Sequence, residues 1–202
     1  MREWKSFVCS GLPLLLCTVL VIGSPGCLGR SPAVRHYTLG ALPGAGAGSE
    51  ELAIGLGPVT FPAYLDRPQF VTRLEGSELA VDELNRWAGG FQSNVVGALA
   101  DGLSARLGTD RVFLDPGASP FPLAYQVAVD IHRFEGRLGG DLVLRARWVV
   151  REQGGQGRAW SEESTIRKSV AGPEVDSLVI AHDAALDELA GIIAGRIGSS
   201  RR

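Results

Sequence analysis

The period of the apolar positions changes several times along the chain, and each change marks an element. Alternation is clearest where Tyr125, Val127, Val129 and Ile131 interleave with Gln126, Ala128, Asp130 and His132. A period of two sends one set to a dry face and the other to a wet one, which predicts a half-buried strand. Gly136, Gly139 and Gly140 then supply a turn. After it, Leu142, Leu144, Ala146, Trp148 and Val150 alternate with Arg145, Arg147 and Arg151. A second glycine turn, Gly154 to Gly157, leads into Arg158 to Val170. Three such runs joined by short glycine turns predict an antiparallel meander.

Shorter runs precede it. Val34 to Leu39 and Leu52 to Phe61 are predicted strands, the second stopped by Pro62. Phe70 to Leu74 and Glu78 to Val81 form a predicted pair about a turn at Gly76, and Arg111 to Leu114 a short strand before a Pro116 to Pro122 loop. Gly40 to Ser49 contains Gly44-Ala45-Gly46-Ala47-Gly48-Ser49, a weak likeness to a dinucleotide loop. No helix follows to aim amides at a phosphate, so a flexible surface loop is the better reading.

Helical spacing occurs twice. The first helix is expected to open at Asp82 as its cap and to run through Trp87, Phe91, Val95, Leu99, Leu103 and Leu107, with Leu84 and Val96 beside the stripe and Gly108 as terminator. A strict spacing of four drifts by ~40° per step, so the stripe winds and buries a broad face. The second helix is expected to open with Pro173 in its first turn, with Glu174 and Asp176 suited to the positive N-terminal end. Val175, Leu178, His182, Ala185, Leu189 and Ile192 then follow a three-four spacing, reinforced by Val179, Leu186 and Ile193. Strands, helix, strands, helix predict a single α+β domain, a mostly antiparallel sheet with two long helices packed on one face.

Composition adds limits. The 202 residues are 45% hydrophobic, enough for a core, and the net charge is -2. No basic face is implied, so nucleic acid is not an expected partner. Arg2 and Lys5, the apolar run Leu12 to Ile22, and the small residues Gly23, Ser24 and Gly26 about Pro25 read as a secretory signal over residues 1–26. That run is about half the ~20 residues a membrane-spanning helix needs. All 3 cysteines, Cys9, Cys17 and Cys27, fall in this part of the chain. Cleavage before Cys27 would leave a mature chain with one thiol at its amino terminus, and no disulfide or redox pair. A lone N-terminal cysteine behind a signal is what bacterial lipidation requires, because the thiol accepts a diacylglycerol. At ~0.8 kcal/mol per buried methylene, such a group holds the chain on a membrane. Ser24 stands where a lipoprotein box usually carries Leu, and an ordinary signal peptidase would cut at the same bond. Leu28 after the cysteine, in place of Asp, points to the outer membrane. Residues 27–33 then form a lipidated tether, and 34–202 the domain.

Catalytic patterns are scarce. The 3 histidines, His36, His132 and His182, are far apart, and His182 lies on an apolar helical stripe, as a core histidine would. No Walker loop or nucleophile elbow occurs. Glu162 and Glu163 are adjacent on a predicted strand and point apart, while Asp130 and Asp141 would approach across the first hairpin on a solvated face. No enzyme activity, cofactor or metal is expected.

One segment stands out: Tyr64-Leu65-Asp66-Arg67-Pro68-Gln69-Phe70-Val71-Thr72-Arg73. Pro68 biases Arg67 to an extended form. Asp66 can accept from Arg67, Arg73 or nearby amides, which makes a self-contained turn; the concentration of Tyr and Arg equally suits a recognition surface. This run, with Asn85-Arg86-Trp87-Ala88 and the early Tyr37-Thr38-Leu39, resembles the signature of the PqiC-like (paraquat-inducible protein C-like) family of ABC-type transport auxiliary lipoproteins. The resemblance implies an outer-membrane lipoprotein facing the periplasm, a component of an MCE-type lipid transport system. It would dock the periplasm-spanning MCE-domain protein, support envelope integrity and possess a capacity to self-associate as a ring. Tyr64, Leu65, Asp66, Arg67, Pro68, Arg73 and Trp87 are the implied partner-binding or fold-defining residues, and Cys27 the lipidated one. The alternative is a structural envelope lipoprotein supporting an unrelated secretion or cell-wall assembly.

Overall fold

The structure, a computed structural model, describes residues 32–40, 51–154 and 157–201. The chain divides at residue 32, and the fold described is that of residues 33–202. The signal segment, Cys27, the tether up to residue 31 and the loop of residues 41–50 lie outside the described residues.

Eight strands and two long helices form the module. In chain order they are β1 (Arg35–Tyr37), β2 (Ile54–Thr60), β3 (Gln69–Arg73), β4 (Leu79–Trp87), α1 (Phe91–Leu107), β5 (Val112–Phe113), β6 (Tyr125–Gly136), β7 (Asp141–Glu152), β8 (Ala159–Ser169) and α2 (Val175–Ser200). They make a three-stranded sheet, β1-β4-β3, and a five-stranded sheet, β5-β2-β6-β7-β8. The predicted meander is β6-β7-β8, antiparallel throughout. β1 on β4, and β2 on both β5 and β6, are parallel. The α+β single domain with antiparallel pairing dominant therefore stands, with the strands divided between two mixed sheets.

The even positions of β7, Leu142, Leu144, Ala146, Trp148 and Val150, are all fully buried. They meet α2 residues Leu178, Ala185, Leu186, Leu189 and Ile193 in one core with Val95, Leu99 and Leu103 of α1. The helices approach closely at Gly102, where an added Cβ would lie 2.8 Å from Ala190 Cβ. Arg106 of α1 pairs with Asp187 of α2 at 2.7 Å beside that contact. Ile192, expected on the buried stripe, is 37% exposed, and Ile193 takes the core position.

The start of the first helix is corrected. Asp82 caps no helix: β4 continues through Trp87, and α1 opens only at Phe91. Gly89 and Gly90 stand between them with φ of 75° and 90°, a conformation that breaks the apparent four-residue stripe. Asp82 instead closes a bulge in β4. Its carboxylate accepts from the Leu84 and Asn85 amides and from Asn85 Nδ2. Partial burial pushes the Asp82 carboxyl up, but the bonds from Asn85 and Leu84 outweigh that and hold it below the usual range. Leu84 accordingly lies on a strand and is exposed. Gly108, left-handed at φ 62°, ends α1 as expected. Pro173 precedes α2 rather than opening it: the cap is Glu174, with Asp176 in the first turn.

Candidate functional site

The segment singled out by sequence joins β2 to β3. Two backbone bonds fold it, Leu65 N to Pro62 O at 2.9 Å and Arg67 N to Leu65 O at 2.8 Å. A third, Trp87 N to Pro68 O at 2.6 Å, ties it to the end of β4. These bonds turn successive side chains in opposite directions. Leu65, Phe70 and Trp87 are core residues, at 4%, 1% and 4% exposure, whereas Asp66, Arg67 and Pro68 face solvent. Phe70 stacks on Trp87 with ring centroids 4.0 Å apart, and Trp87 meets Phe91 at 5.1 Å and the His182 ring at 5.5 Å. Trp87 and Leu65 thus sit in the three-stranded sheet's core, and Trp87 lies on a strand, not at a helix start.

The structure supplies a partner for this segment that sequence reasoning missed. Glu135 of β6 is fully buried, at 0% exposure. Arg73 donates to its Oε1 from Nε at 2.9 Å and from Nη2 at 2.7 Å, and from Nη1 to the Gly76 carbonyl at 3.1 Å. Tyr64 donates its hydroxyl to Oε2 at 2.9 Å. Arg133 Nε lies 2.9 Å from Oε1, an ion pair in which this buried N–H is not aligned for a hydrogen bond. Burial, then the bond to and the charge of Glu135, push the Tyr64 hydroxyl up to about 12, so it stays a donor at any physiological pH. Arg73, expected as a partner for Asp66, is engaged elsewhere.

A bulge between Ile131 and Arg133 puts Glu135 there. Ile131 pairs with Ala146 and Phe134 with Leu144, both facing the helices, so the residue count gains one between them. The bulge reverses parity. Phe134 is sent into the core against His182, at 4.6 Å between rings, and Glu135 to the opposite face, under Tyr64 and Arg73. The only sequence signal was the loss of alternation after His132.

Other expected groups are placed as follows. His182 is 2% exposed and its Nδ1 lies 2.8 Å from the Leu178 carbonyl, so it is a core histidine. Asp130 and Asp141 do not approach: Asp130 stands opposite Arg147, midway along β7, whereas Asp141 is the first residue of β7, opposite Ser169. Asp130 accepts from the Thr60 hydroxyl and pairs with His132, and these contacts hold it below its usual range. Glu162 pairs with Arg196, while Glu163 meets Arg145 and Arg147 at 3.5 Å, on opposite faces of β8. Among the described residues no group of His, Cys, Asp and Glu is placed to hold a metal ion, and no helix is long and apolar enough to cross a membrane.

Comparison with known proteins follows the same lines. A family model described as ABC-type transport auxiliary lipoprotein component matches residues 37–194. No curated protein matches the sequence. A crystal structure of an uncharacterised protein is similar in fold, with TM-score 0.68 and 19% identity over 82% of this chain and 99% of that one. Protein XCC0632 from Xanthomonas campestris, of family DUF330, is similar at TM-score 0.54 and 16% identity, over 84% of this chain and 97% of that one.

Proposed function

Because this chain belongs to the family of ABC-type transport auxiliary lipoprotein components, we propose that it is the outer-membrane lipoprotein of an MCE-type lipid transport system, docking the periplasm-spanning MCE-domain protein and supporting envelope integrity. The observation that carries the reading is the family match over residues 37–194, which takes in every strand and both helices but for the first two residues of β1 and the last six of α2. In this reading the signal of residues 1–26 is removed, Cys27 receives the lipid, and the tether of residues 27–33 presents the domain to the periplasm. The chain does no chemistry of its own; it binds, and copies of it associate as a ring.

The geometry supports a docking role for one part of the motif. Asp66, Arg67 and Pro68 are exposed at the tip of a connection whose base is fixed by Leu65, Tyr64, Arg73 and Trp87. A polar tip on an immobile base loses little entropy on binding, which is what recognition needs. The buried members set the loop's shape, and the exposed ones meet the partner.

The test is affinity purification of the full, membrane-extracted chain from its native envelope, probed for the MCE-domain protein. The wild type is expected to recover it. Asp66→Arg with Arg67→Glu reverses both tip charges and should lower recovery about tenfold, the effect of ~1.4 kcal/mol. Unchanged recovery would remove the tip from the interface, and no recovery by the wild type would overturn the transport reading.

A further inference from the structure

Next to the Glu135 clamp lies an open cleft of about 360 Å³. That is within the range of roughly 300–1,000 Å³ common to small-molecule sites. Four arginines from three stretches of chain line it: Arg73 of β3, Arg133 and Arg137 at the end of β6, and Arg167 of β8. Such a convergence is costly without an anion, since like charges brought together repel.

The resident carboxylates do not satisfy it. Glu135 occupies Nε and Nη2 of Arg73 and lies against Nε of Arg133, leaving the outer nitrogens of Arg133 without an acceptor among the described residues. Glu75 reaches Arg137 only at 3.5 Å and its side chain is 93% exposed, a solvent-screened pair of little worth. Asp141 lines the cleft but pairs with none of the arginines. Arg167, opposite Val143 in the β7–β8 pairing, has no hydrogen-bond or ion-pair partner among the described residues.

Two of the four are also constrained. Arg73 is fixed at three of its nitrogens by Glu135 and the Gly76 carbonyl. The stem of Arg137 rests on Gly140, where an added Cβ would come within 3.1–3.3 Å of its Cδ, Cβ and Cγ. A larger residue at position 140 would push that stem aside by a few tenths of an ångström. Planar guanidinium forks in fixed positions match the tetrahedral oxygens of phosphate in paired, charge-assisted hydrogen bonds. Leu74, 42% exposed at the rim, and Val143 add apolar atoms beside the charges.

We propose that this cleft binds the phosphate group of a phosphate ester. On the transport reading, on which this last step rests, the ester is the headgroup of an anionic phospholipid. Arg167 and Arg137 supply the contacts that are free of Glu135.

The test uses the full chain in a non-ionic detergent. Inorganic phosphate and dihexanoyl-phosphatidylglycerol below its micelle concentration are titrated separately by calorimetry. Binding of the lipid, alone or with phosphate, supports the site with a headgroup as its source; binding of phosphate alone supports the site and assigns it to the free ion. Arg167→Glu and Arg137→Gln should each weaken binding about tenfold or more, the scale of ~1.4 kcal/mol. Arg151→Gln, an exposed arginine at the far end of β7, should leave it unchanged. Failure of both probes to bind, or equal binding by Arg167→Glu and wild type, overturns the proposal. Arg167→Glu is expected to retain recovery of the MCE-domain protein, so loss of the anion site and loss of the transport reading are read out separately.

Discussion

Glu135 is removed from water, so Tyr64, Arg73 and Arg133 supply the polar contacts that solvent otherwise would. Removing one partner of a buried pair typically costs 3–5 kcal/mol, because the other charge is left unpaired. Arg133 and Tyr64 remain in Arg73→Ala, which places the expected loss near the lower end, about 3 kcal/mol. Tyr64→Phe should cost about 1.5–3 kcal/mol, the worth of one hydrogen bond to a charged acceptor. Urea unfolding checks both, and the double variant should depart from the sum, since the two share one carboxylate. His182 gives a second residue-scale prediction. Burial pushes its imidazole down to about 4, against opposing bonds to the Leu178 and Phe134 carbonyls and the charge of Glu135. The unfolded chain takes up a proton near 6.5 and the folded one does not, so unfolding binds a proton between the two values. Stability should therefore fall as pH drops from about 6.5 towards 4, by up to ~1.4 kcal/mol per pH unit. His182→Leu should flatten that slope in urea midpoints measured between pH 6.5 and 5. The apolar stripe made His182 readable as core. Glu135 was not readable, because its partners lie 62 and 71 residues away in sequence.

Elements were legible in proportion to how long one period persisted. β7 keeps an apolar residue at every second position from Leu142 to Val150, and α2 keeps its three-four spacing, so their core faces were read correctly but for Ile192. The β4–α1 junction was not, because Trp87, Phe91, Val95 and Leu99 hold a spacing of four across the Gly89–Gly90 break, and spacing alone does not show a positive φ. The bulge in β6 was hidden in the same way: it changes parity without changing residue type. Because the bulge is one extra residue, deleting His132 should leave regular pairing with Phe134 still facing the helices and Glu135 still on the opposite face. The variant should keep a cooperative thermal transition, followed by circular dichroism; its loss would show that the bulge itself is required, beyond the parity it sets. Helix glycines give a contrast within α1. Gly102→Ala would bring a Cβ to 2.8 Å from Ala190 and should destabilise by about 1–3 kcal/mol through overpacking. Gly97→Ala meets nothing within 4 Å and should stabilise by about 0.5–1 kcal/mol. Opposite shifts in the melting temperature of the two variants check the packing directly.

At the scale of the molecule, one folded unit carries a salt-bridged clamp, an exposed tip beyond it and an arginine-lined cleft beside it. The exposed motif residues and the cleft are both anchored on Glu135, so the clamp sets the shape of two surfaces at once. The family resemblance read from Tyr64 to Arg73 was specific enough to be met by the family match, although its buried members, Leu65, Phe70, Val71 and Thr72, define the fold. On the proposed reading, hydrocarbon on Cys27 places this unit in the envelope; among the described residues no helix is long and apolar enough to cross a membrane. The most direct measurement is the intact mass of the full-length protein extracted from its native membranes. The account predicts a chain beginning at Cys27 and carrying a diacylglycerol thioether. A chain that retains residues 1–26, or one that begins at Cys27 with a free thiol, would contradict it.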